Sequence, residues 1–317
     1  RLQRGASQSC PGSAWRVRVL AGAGIMNLVL SLVLVASGHA IQVFDGVFAP
    51  PTCEALNAAA SARGLGHALY TRSVGPRTAL EHAFESFLSE VDDDSPHVEY
   101  WSRQEWKHIE AHADVDEALA ADGGPLRYPR HAHVLYLDVG SRVRGPTCVW
   151  EAGRGEDGRP PRFAGAMTVV PAVAGRVLRF DGSLQHAVPR PADVWLAPFV
   201  ISQSGPPEDF GRSVVLFNCW PEAEAPPHEV QPDEPTADVD APSIYRATPR
   251  AQWRPADLSH GPPPPSSGGR AATMKLWLLG ERERRGSVER TLPLRVDADA
   301  VLAALQEGKE CTRLDPC

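Results

Sequence analysis

Three histidines lie two positions before an acidic residue, in His97-Val-Glu99, His108-Ile-Glu110 and His112-Ala-Asp114. Side chains at i and i+2 of a strand point to the same side, so such a pair can offer an imidazole and a carboxylate to one metal ion. Three matches barely exceed what 11 histidines and 39 acidic residues give by chance. A metal site therefore needs a third ligand from another strand, and His186, in Gln185-His-Ala-Val-Pro189, is the best candidate.

Two of these histidines, His108 and His112, also have a spacing found in zinc sites. His108 and His112 are spaced i and i+4, which would place both on one helix face and favour zinc. The metalloprotease motif His-Glu-x-x-His is absent, however, and so are the glycine-rich phosphate loops and the Gly-x-Ser-x-Gly motif. Nucleotide binding and serine hydrolysis therefore have no sequence support.

The elements that would hold these residues change in type along the chain. Residues 57–63, begun near Pro51, and residues 79–90 predict helices, and the second has apolar residues at i, i+4, i+7 and i+8. Between residues 132 and 220, short apolar runs separated by Gly, Pro and charged residues predict the strands of a sandwich or barrel. The expected fold class is mainly β with flanking helices.

Several segments resemble, in order, the iron(II)/2-oxoglutarate-dependent oxygenases of the prolyl 4-hydroxylase-like type. Residues 99–117 resemble the strand that carries the first metal ligands in that superfamily. The segments that follow in the same order are Tyr136-Leu-Asp138, with Asp in place of the usual Asn, Gly145-Pro-Thr147, Gly175 to His186, and Gly211 to Trp220. The resemblance covers about residues 41–225, and the order of the segments is more specific than the His-x-Asp tripeptide.

This resemblance implies a double-stranded β-helix (jelly-roll or cupin-like) core and a set of site residues. His112, Asp114 and His186 would bind Fe(II) as two histidines and one carboxylate, which leaves three positions for 2-oxoglutarate and O2. Arg212 would pair with the distal carboxylate of 2-oxoglutarate through its planar fork, and Tyr136 would donate a hydrogen bond to the same group. Ascorbate is a further candidate cofactor.

The basic residue for the co-substrate departs from the family spacing. Arg212 follows His186 by 26 positions, where about ten are usual in the resembled pattern, and residues 191–210 would form an inserted loop or hairpin. Arg190 is the alternative, but it lies only four positions after His186 and would sit on the wrong part of the turn. We therefore favour Arg212 and keep Arg190 as the competing assignment.

The implied activity is oxidative decarboxylation of 2-oxoglutarate to succinate and CO2, coupled to hydroxylation of a side chain of a protein or peptide. A prolyl side chain is the first guess, by analogy alone. The alternative from another class is a non-catalytic or zinc-binding cupin-like binding module, tethered in the secretory pathway. A formal charge of −7 argues against a nucleic-acid partner, which would normally require a basic face.

The first 40 residues predict a signal peptide or an uncleaved signal anchor. Arginines precede an apolar run at 25–36, and Gly38 and Ala40 are small residues at the expected end. Residues 19–36 are therefore a candidate membrane anchor, Met26 is a candidate start, and the body is expected in the lumen of the ER or Golgi or to be secreted.

Residues 41–225 form the predicted oxygenase domain, residues 226–270 an acidic, Pro-rich linker, and residues 271–317 a hairpin and a short helix. An oxidising lumen would permit disulfides between the five cysteines of the body. Cys311 and Cys317 are close enough to pair, and Cys53 could pair with any other. The odd count leaves at least one thiol free.

Overall fold

The structure, a computed structural model, describes residues 40–104, 109–140, 145–151, 166–188, 212–221, 230–235, 242–258, 271–278, 288–297 and 310–314. Its helices are α1 (Pro50–Arg63), α2 (Ala79–Glu90) and α3 (Glu117–Ala121). Its strands are β1 (Ile41–Asp45), β2 (Ala68–Thr71), β3 (His97–Arg103), β4 (Ile109–His112), β5 (His131–Val139), β6 (Thr147–Trp150), β7 (Met167–Val170), β8 (Val177–Asp181), β9 (His186–Val188), β10 (Arg212–Trp220), β11 (Arg254–Pro255), β12 (Ala271–Leu278), β13 (Val288–Asp297) and β14 (Thr312–Leu314).

Several predicted features lie outside the described residues. They are the N-terminal leader up to residue 39 with its candidate anchor at 19–36, His108, the inserted loop with Arg190, and the helix that begins after Asp297. None of the described helices is long and apolar enough to cross a membrane.

The strands form two sheets of seven, ordered β11-β1-β8-β5-β10-β3-β2 and β13-β12-β4-β9-β6-β7-β14. We call them the first and the second sheet. From β3 to β10 the chain moves back and forth between them, so that β8-β5-β10-β3 lie in one and β4-β9-β6-β7 in the other, all antiparallel. This connection of eight strands is the double-stranded β-helix, and the predicted fold class is confirmed.

The two faces of the first sheet bury two different cores because side chains alternate along each strand. Val134 and Tyr136 of β5 pack toward the second sheet, together with Val149 of β6. Leu135 and Leu137 point the other way, into the cluster that holds α1 and α2. The helices therefore cover the back of the first sheet, and the space between the sheets is left for a site.

Helix α2 has the bounds that its apolar spacing predicts. The Thr78 hydroxyl accepts a hydrogen bond from the Glu81 backbone N–H, and the Glu81 carboxylate accepts one from the Thr78 N–H, each at 3.2 Å. This capping box satisfies two of the donors that a helix start leaves unpaired. Phe84 and Phe87 then pack against Phe217 of β10, at ring-centroid distances of 4.7 and 5.9 Å.

Two parts of the range predicted as a linker are packed against the sheet. Trp253 is buried and stacks on Phe87 at 5.4 Å, and β11 beside it pairs with β1. Residues 230–235, which we call the return segment, lie along β2, where the Leu69 N–H donates to the Gln231 carbonyl at 3.0 Å. The structure thus places residues 230–235 and 242–258 on the folded domain, since their buried aromatic and ionic contacts hold them there.

The C-terminal strands extend the second sheet. β12 and β13 form an antiparallel pair, β12 runs parallel to β4, and β14 pairs with β7 at the opposite edge. Cys53, Cys148, Cys219 and Cys311 are buried free thiols, and no disulfide joins any two of these four. Cys317 lies outside the described residues.

Candidate functional site

The second sheet brings His112 and His186 together. They are cross-strand partners in the pairing of β4 with β9, and their ring centroids lie 4.4 Å apart. Asp114 follows two positions after His112, and its Oδ1 lies 3.4 Å from His112 Nε2 and 3.8 Å from His186 Nε2. One ligand atom from each residue lies within 4.8 Å of the others. Among the described residues this is the one group of three such side chains with metal-ligand spacing.

The hydrogen bonds around the triad orient its ligand atoms. The Leu184 carbonyl lies 3.4 Å from His186 Nδ1, so this nitrogen donates and Nε2 keeps its lone pair facing Asp114. The other carboxylate oxygen of Asp114, Oδ2, accepts a hydrogen bond from Asn218 Nδ2 at 3.0 Å. The atoms that converge are therefore two imidazole nitrogens and one carboxylate oxygen.

Burial and charge favour the protonation states that bind a metal. Burial lowers the pKa of His186 to about 4, so its imidazole is neutral near pH 7. Burial alone would raise the pKa of Asp114, but His186, His112 and the Asn218 hydrogen bond outweigh it and hold that pKa below its ordinary value. Neutral imidazoles and an ionised carboxylate are the forms that ligate divalent cations.

The donor set fits a first-row metal ion such as Fe(II). At metal–ligand distances of about 2.1 Å, adjacent ligand atoms in an octahedral arrangement lie about 3 Å apart. The two histidine nitrogens lie 3.4 and 3.8 Å from Asp114 Oδ1, and the three ligand atoms lie within 4.8 Å of one another, so the side chains would have to close around the ion. Two histidines and one carboxylate with room beside them is the ligand set of non-haem iron sites.

Arg212 begins β10 in the first sheet and lines the same cavity as the triad. Its side chain is buried, and burial lowers its pKa. Nη2 donates to Thr147 Oγ1 at 2.9 Å, Nε has no hydrogen-bond partner, and no carboxylate among the described residues pairs with the guanidinium. A buried cation without a counter-charge is costly, so the arrangement fits an anionic ligand.

Thr147 joins Arg212 to Tyr136. The Tyr136 hydroxyl donates to Thr147 Oγ1 at 2.8 Å, and the Arg212 guanidinium lies 5.4 Å from the centre of the Tyr136 ring. Burial raises the pKa of Tyr136, which therefore stays protonated. Because Thr147 accepts two hydrogen bonds, its own hydroxyl hydrogen remains available to the cavity that it lines.

The cavity between the sheets has a volume of about 480 Å³. One wall comes from alternate residues of β10, and another from alternate residues of β3, where Trp101 stacks on His67 at 4.5 Å. Its lining includes His112, Asp114, His186, Thr147, Arg212, Val214, Leu216, Asn218, Glu99, Trp101, Arg103, His67 and Val230. Such a space accommodates a small co-substrate and part of a larger molecule.

The structure thus places His112, Asp114, His186 and Arg212 in one cavity, while Tyr136 lies behind Thr147. The sequence analysis did not single out Thr147 or Asn218 as site residues. Asn218 could have been found, because Arg212, Val214, Leu216 and Asn218 are spaced by two along one predicted strand and so share a face. Of the pair His97 and Glu99, only Glu99 lines this cavity, and its carboxylate is bonded to His67 and Trp220.

No protein-family model matches the chain. No curated protein matches it either. Among solved structures, it is similar to iron-bound HygX from Streptomyces hygroscopicus, with 14% identity, a TM-score of 0.35, and coverage of 58% of this chain and 83% of that one. It is also similar to a Pseudomonas putida prolyl-4-hydroxylase, with 14% identity and a TM-score of 0.36. The match covers 60% of this chain and 89% of that one.

A third similar structure is the viral collagen prolyl hydroxylase of Paramecium Bursaria Chlorella virus-1 in its 2-oxoglutarate complex. Its identity is 15%, its TM-score 0.34, and the coverage 58% of this chain and 97% of that one. At TM-scores this low, a function for this chain has to rest on the residues of its own site.

Proposed function

We propose that the protein is an Fe(II)- and 2-oxoglutarate-dependent oxygenase, an oxidoreductase, with His112, Asp114 and His186 as the metal ligands. One observation carries the proposal: the three converging ligand atoms and the unpaired Arg212 guanidinium line one cavity between the two sheets. A cation site and an anion site that share a cavity match a co-substrate that chelates a metal at one end and carries a carboxylate at the other.

The metal ligands would hold Fe(II) on one side only. His112 and His186 come from neighbouring strands of the second sheet, and Asp114 approaches from the segment after β4. When bound, the iron supplies the activation of O2 that couples decarboxylation of 2-oxoglutarate to hydroxylation of the substrate. The protein's part is to fix the three ligand atoms and leave the cavity side open to the co-substrates.

Arg212 and Thr147 would bind the distal carboxylate of 2-oxoglutarate. The Arg212 guanidinium and the Thr147 hydroxyl both line the cavity, and the guanidinium would gain the counter-charge it lacks. Tyr136 would act through Thr147, because its hydroxyl hydrogen is engaged there. This differs from the direct hydrogen bond expected of Tyr136 by family resemblance.

The substrate we propose is a side chain of a protein or peptide, with a prolyl side chain the first to test and succinate and CO2 as co-products. The half-exposed His67, stacked on Trp101 and held by Glu99 at 2.9 Å, forms the accessible part of the cavity wall. A side chain entering there would pass an aromatic surface before it reaches the triad.

The proposal is tested by mixing the full chain anaerobically with Fe(II) and 2-oxoglutarate. A weak visible charge-transfer band is expected, because 2-oxoglutarate chelates the bound iron. His112→Ala should abolish the band, whereas His67→Ala, which removes an imidazole from the same cavity without removing a ligand, should retain it.

A folded wild-type protein that shows no band would overturn the proposal. Tight zinc binding together with the absence of the band would favour the cupin-like binding module instead. Release of succinate in the presence of a panel of peptides would then identify the substrate.

A further inference from the structure

Asn218 lies on β10 with its side chain in the cavity and its amide against Asp114. The side chain is 2% exposed, and its Nδ2 lies 3.0 Å from Asp114 Oδ2. An ionised carboxylate can only accept hydrogen bonds, so the amide must present its N–H and not its carbonyl to Asp114. The contact is therefore a defined donor–acceptor pair between the two sheets.

The strand that carries Asn218 fixes its position. Asn218 pairs with Ala132 of β5 on one side and with Glu99 of β3 on the other, so its backbone is held in the middle of the first sheet. A side chain on a central strand has little freedom to follow its partner. Asp114, by contrast, lies after the end of β4 in a segment without regular structure. The rigid member of the pair is therefore Asn218.

The hydrogen bond divides the two oxygens of Asp114 between two tasks. Oδ2 is bound to Asn218, and Oδ1 faces the Nε2 atoms of His112 and His186. A carboxylate held in this way offers one oxygen to a metal. A carboxylate that is free to rotate can bind the metal through both oxygens. It then occupies a coordination position on the metal that a co-substrate needs.

We propose that Asn218 is a positioning residue that holds Asp114 as a one-oxygen metal ligand. The inference rests on the proposed function, since it assigns Asp114 to a metal. The metal ligands His112 and His186 lie on the second sheet. The inference adds that a neutral amide on the first sheet fixes the orientation of the third ligand, Asp114. Loss of the amide should weaken metal binding and change the coordination of the bound ion without loss of any ligand.

The test uses Co(II), which binds such sites and has a visible absorption that depends on its coordination. The full chain, Asn218→Leu and Asn57→Leu are titrated with Co(II) by calorimetry, and their absorption spectra are recorded. Asn218→Leu keeps the shape of the side chain and removes the donor. Asn57→Leu is the matched control, because Asn57 accepts a hydrogen bond from Ser213 of the same strand but on its other face.

We expect Asn218→Leu to weaken Co(II) binding about 10- to 100-fold and to alter the absorption spectrum. Asn57→Leu should keep the wild-type affinity within about twofold and the wild-type spectrum. Asn218→Ser, which is smaller and too short to reach Asp114, should behave like Asn218→Leu and serves if the leucine variant does not fold.

Equal affinity and an equal spectrum for the wild type and a folded Asn218 variant would overturn this inference and leave the proposed function intact. An equal loss in Asn57→Leu would also overturn it, since disturbance of β10 would then explain the effect. A wild-type chain that binds no Co(II) at His112 would overturn both.

Discussion

At the scale of single residues, the site combines a buried cation, Arg212, with a largely buried anion, Asp114. Arg212 is buried, donates to Thr147 and lies beside the Tyr136 ring, and no described carboxylate pairs with it. Asp114 is compensated by two imidazoles and an amide. The two ends of the cavity therefore differ in the sign of their charge, and in the proposed function each end would bind a different part of a chelating dicarboxylate.

Arg212→Ala should raise the 2-oxoglutarate concentration needed for half-maximal formation of the charge-transfer band, by about tenfold or more, because a charge-assisted contact to the carboxylate is lost. Fe(II) or Co(II) affinity should change little, since Arg212 contacts no metal ligand. The measurements are a 2-oxoglutarate titration at saturating metal and a calorimetric metal titration.

Arg103→Ala is the control for Arg212, because Arg103 lines the same cavity and its hydrogen bond goes to the Ser102 carbonyl. It should leave the 2-oxoglutarate requirement near that of the wild type. If Arg190→Ala raises the requirement and Arg212→Ala does not, the competing assignment of the basic residue is the right one.

At the scale of elements, the return segment illustrates how a stretch of loop composition becomes part of the domain. Asp233 binds Arg63 of α1 through two guanidinium nitrogens and accepts a hydrogen bond from Tyr100 of β3 at 2.8 Å. Arg77 donates to the Asp233 carbonyl at 3.1 Å, and Val230 reaches the cavity. The segment ties α1 and β3 together beside the site.

Asp233→Ala should lower the free energy of unfolding by about 2 kcal/mol, because charge-assisted hydrogen bonds are lost and Arg63 and Tyr100 lose a shared partner. The measurement is urea unfolding at pH 7. The control is Asp94→Ala. Asp94 also pairs with an arginine, Arg130, but its side chain is 86% exposed. Its loss should lower the free energy of unfolding by less than about 0.5 kcal/mol. Equal effects of the two variants would show that the return segment is not anchored as described.

At the scale of the whole molecule, the site exists only where the two sheets face each other. The second sheet supplies His112, His186 and Thr147, and the first supplies Arg212 and Asn218. The cavity is therefore a property of the packed double-stranded β-helix, not of any one strand.

Local patterns were enough to predict α1, α2 and a mainly β fold class, whereas the short helix α3 was not predicted. The apolar spacing of α2 and the short apolar runs that form β5 to β8 and β10 are visible in the sequence, and the order of the family-like segments was the basis for predicting His112, Asp114 and His186. The role of Thr147 was not visible, because it follows from hydrogen bonds to Tyr136 and Arg212, which lie 11 and 65 positions away.

The return segment could not be predicted for a similar reason. Its Pro and acidic residues are typical of a solvated linker, yet Asp233 finds its partners 133 and 170 positions earlier in the chain. Contacts of that range depend on the tertiary fold, and composition does not report them.

The central claim is that one cavity binds a metal on His112, Asp114 and His186 and a dicarboxylate between that metal and Arg212. The measurement that tests it most directly is a crystal structure of the full chain grown with Mn(II), in place of Fe(II), and 2-oxoglutarate. We predict Mn(II) anomalous density on the three side chains, and a co-substrate whose distal carboxylate contacts Arg212 and Thr147. Metal density elsewhere, or a folded protein with neither ion nor co-substrate in the cavity at saturating concentrations, would contradict the account.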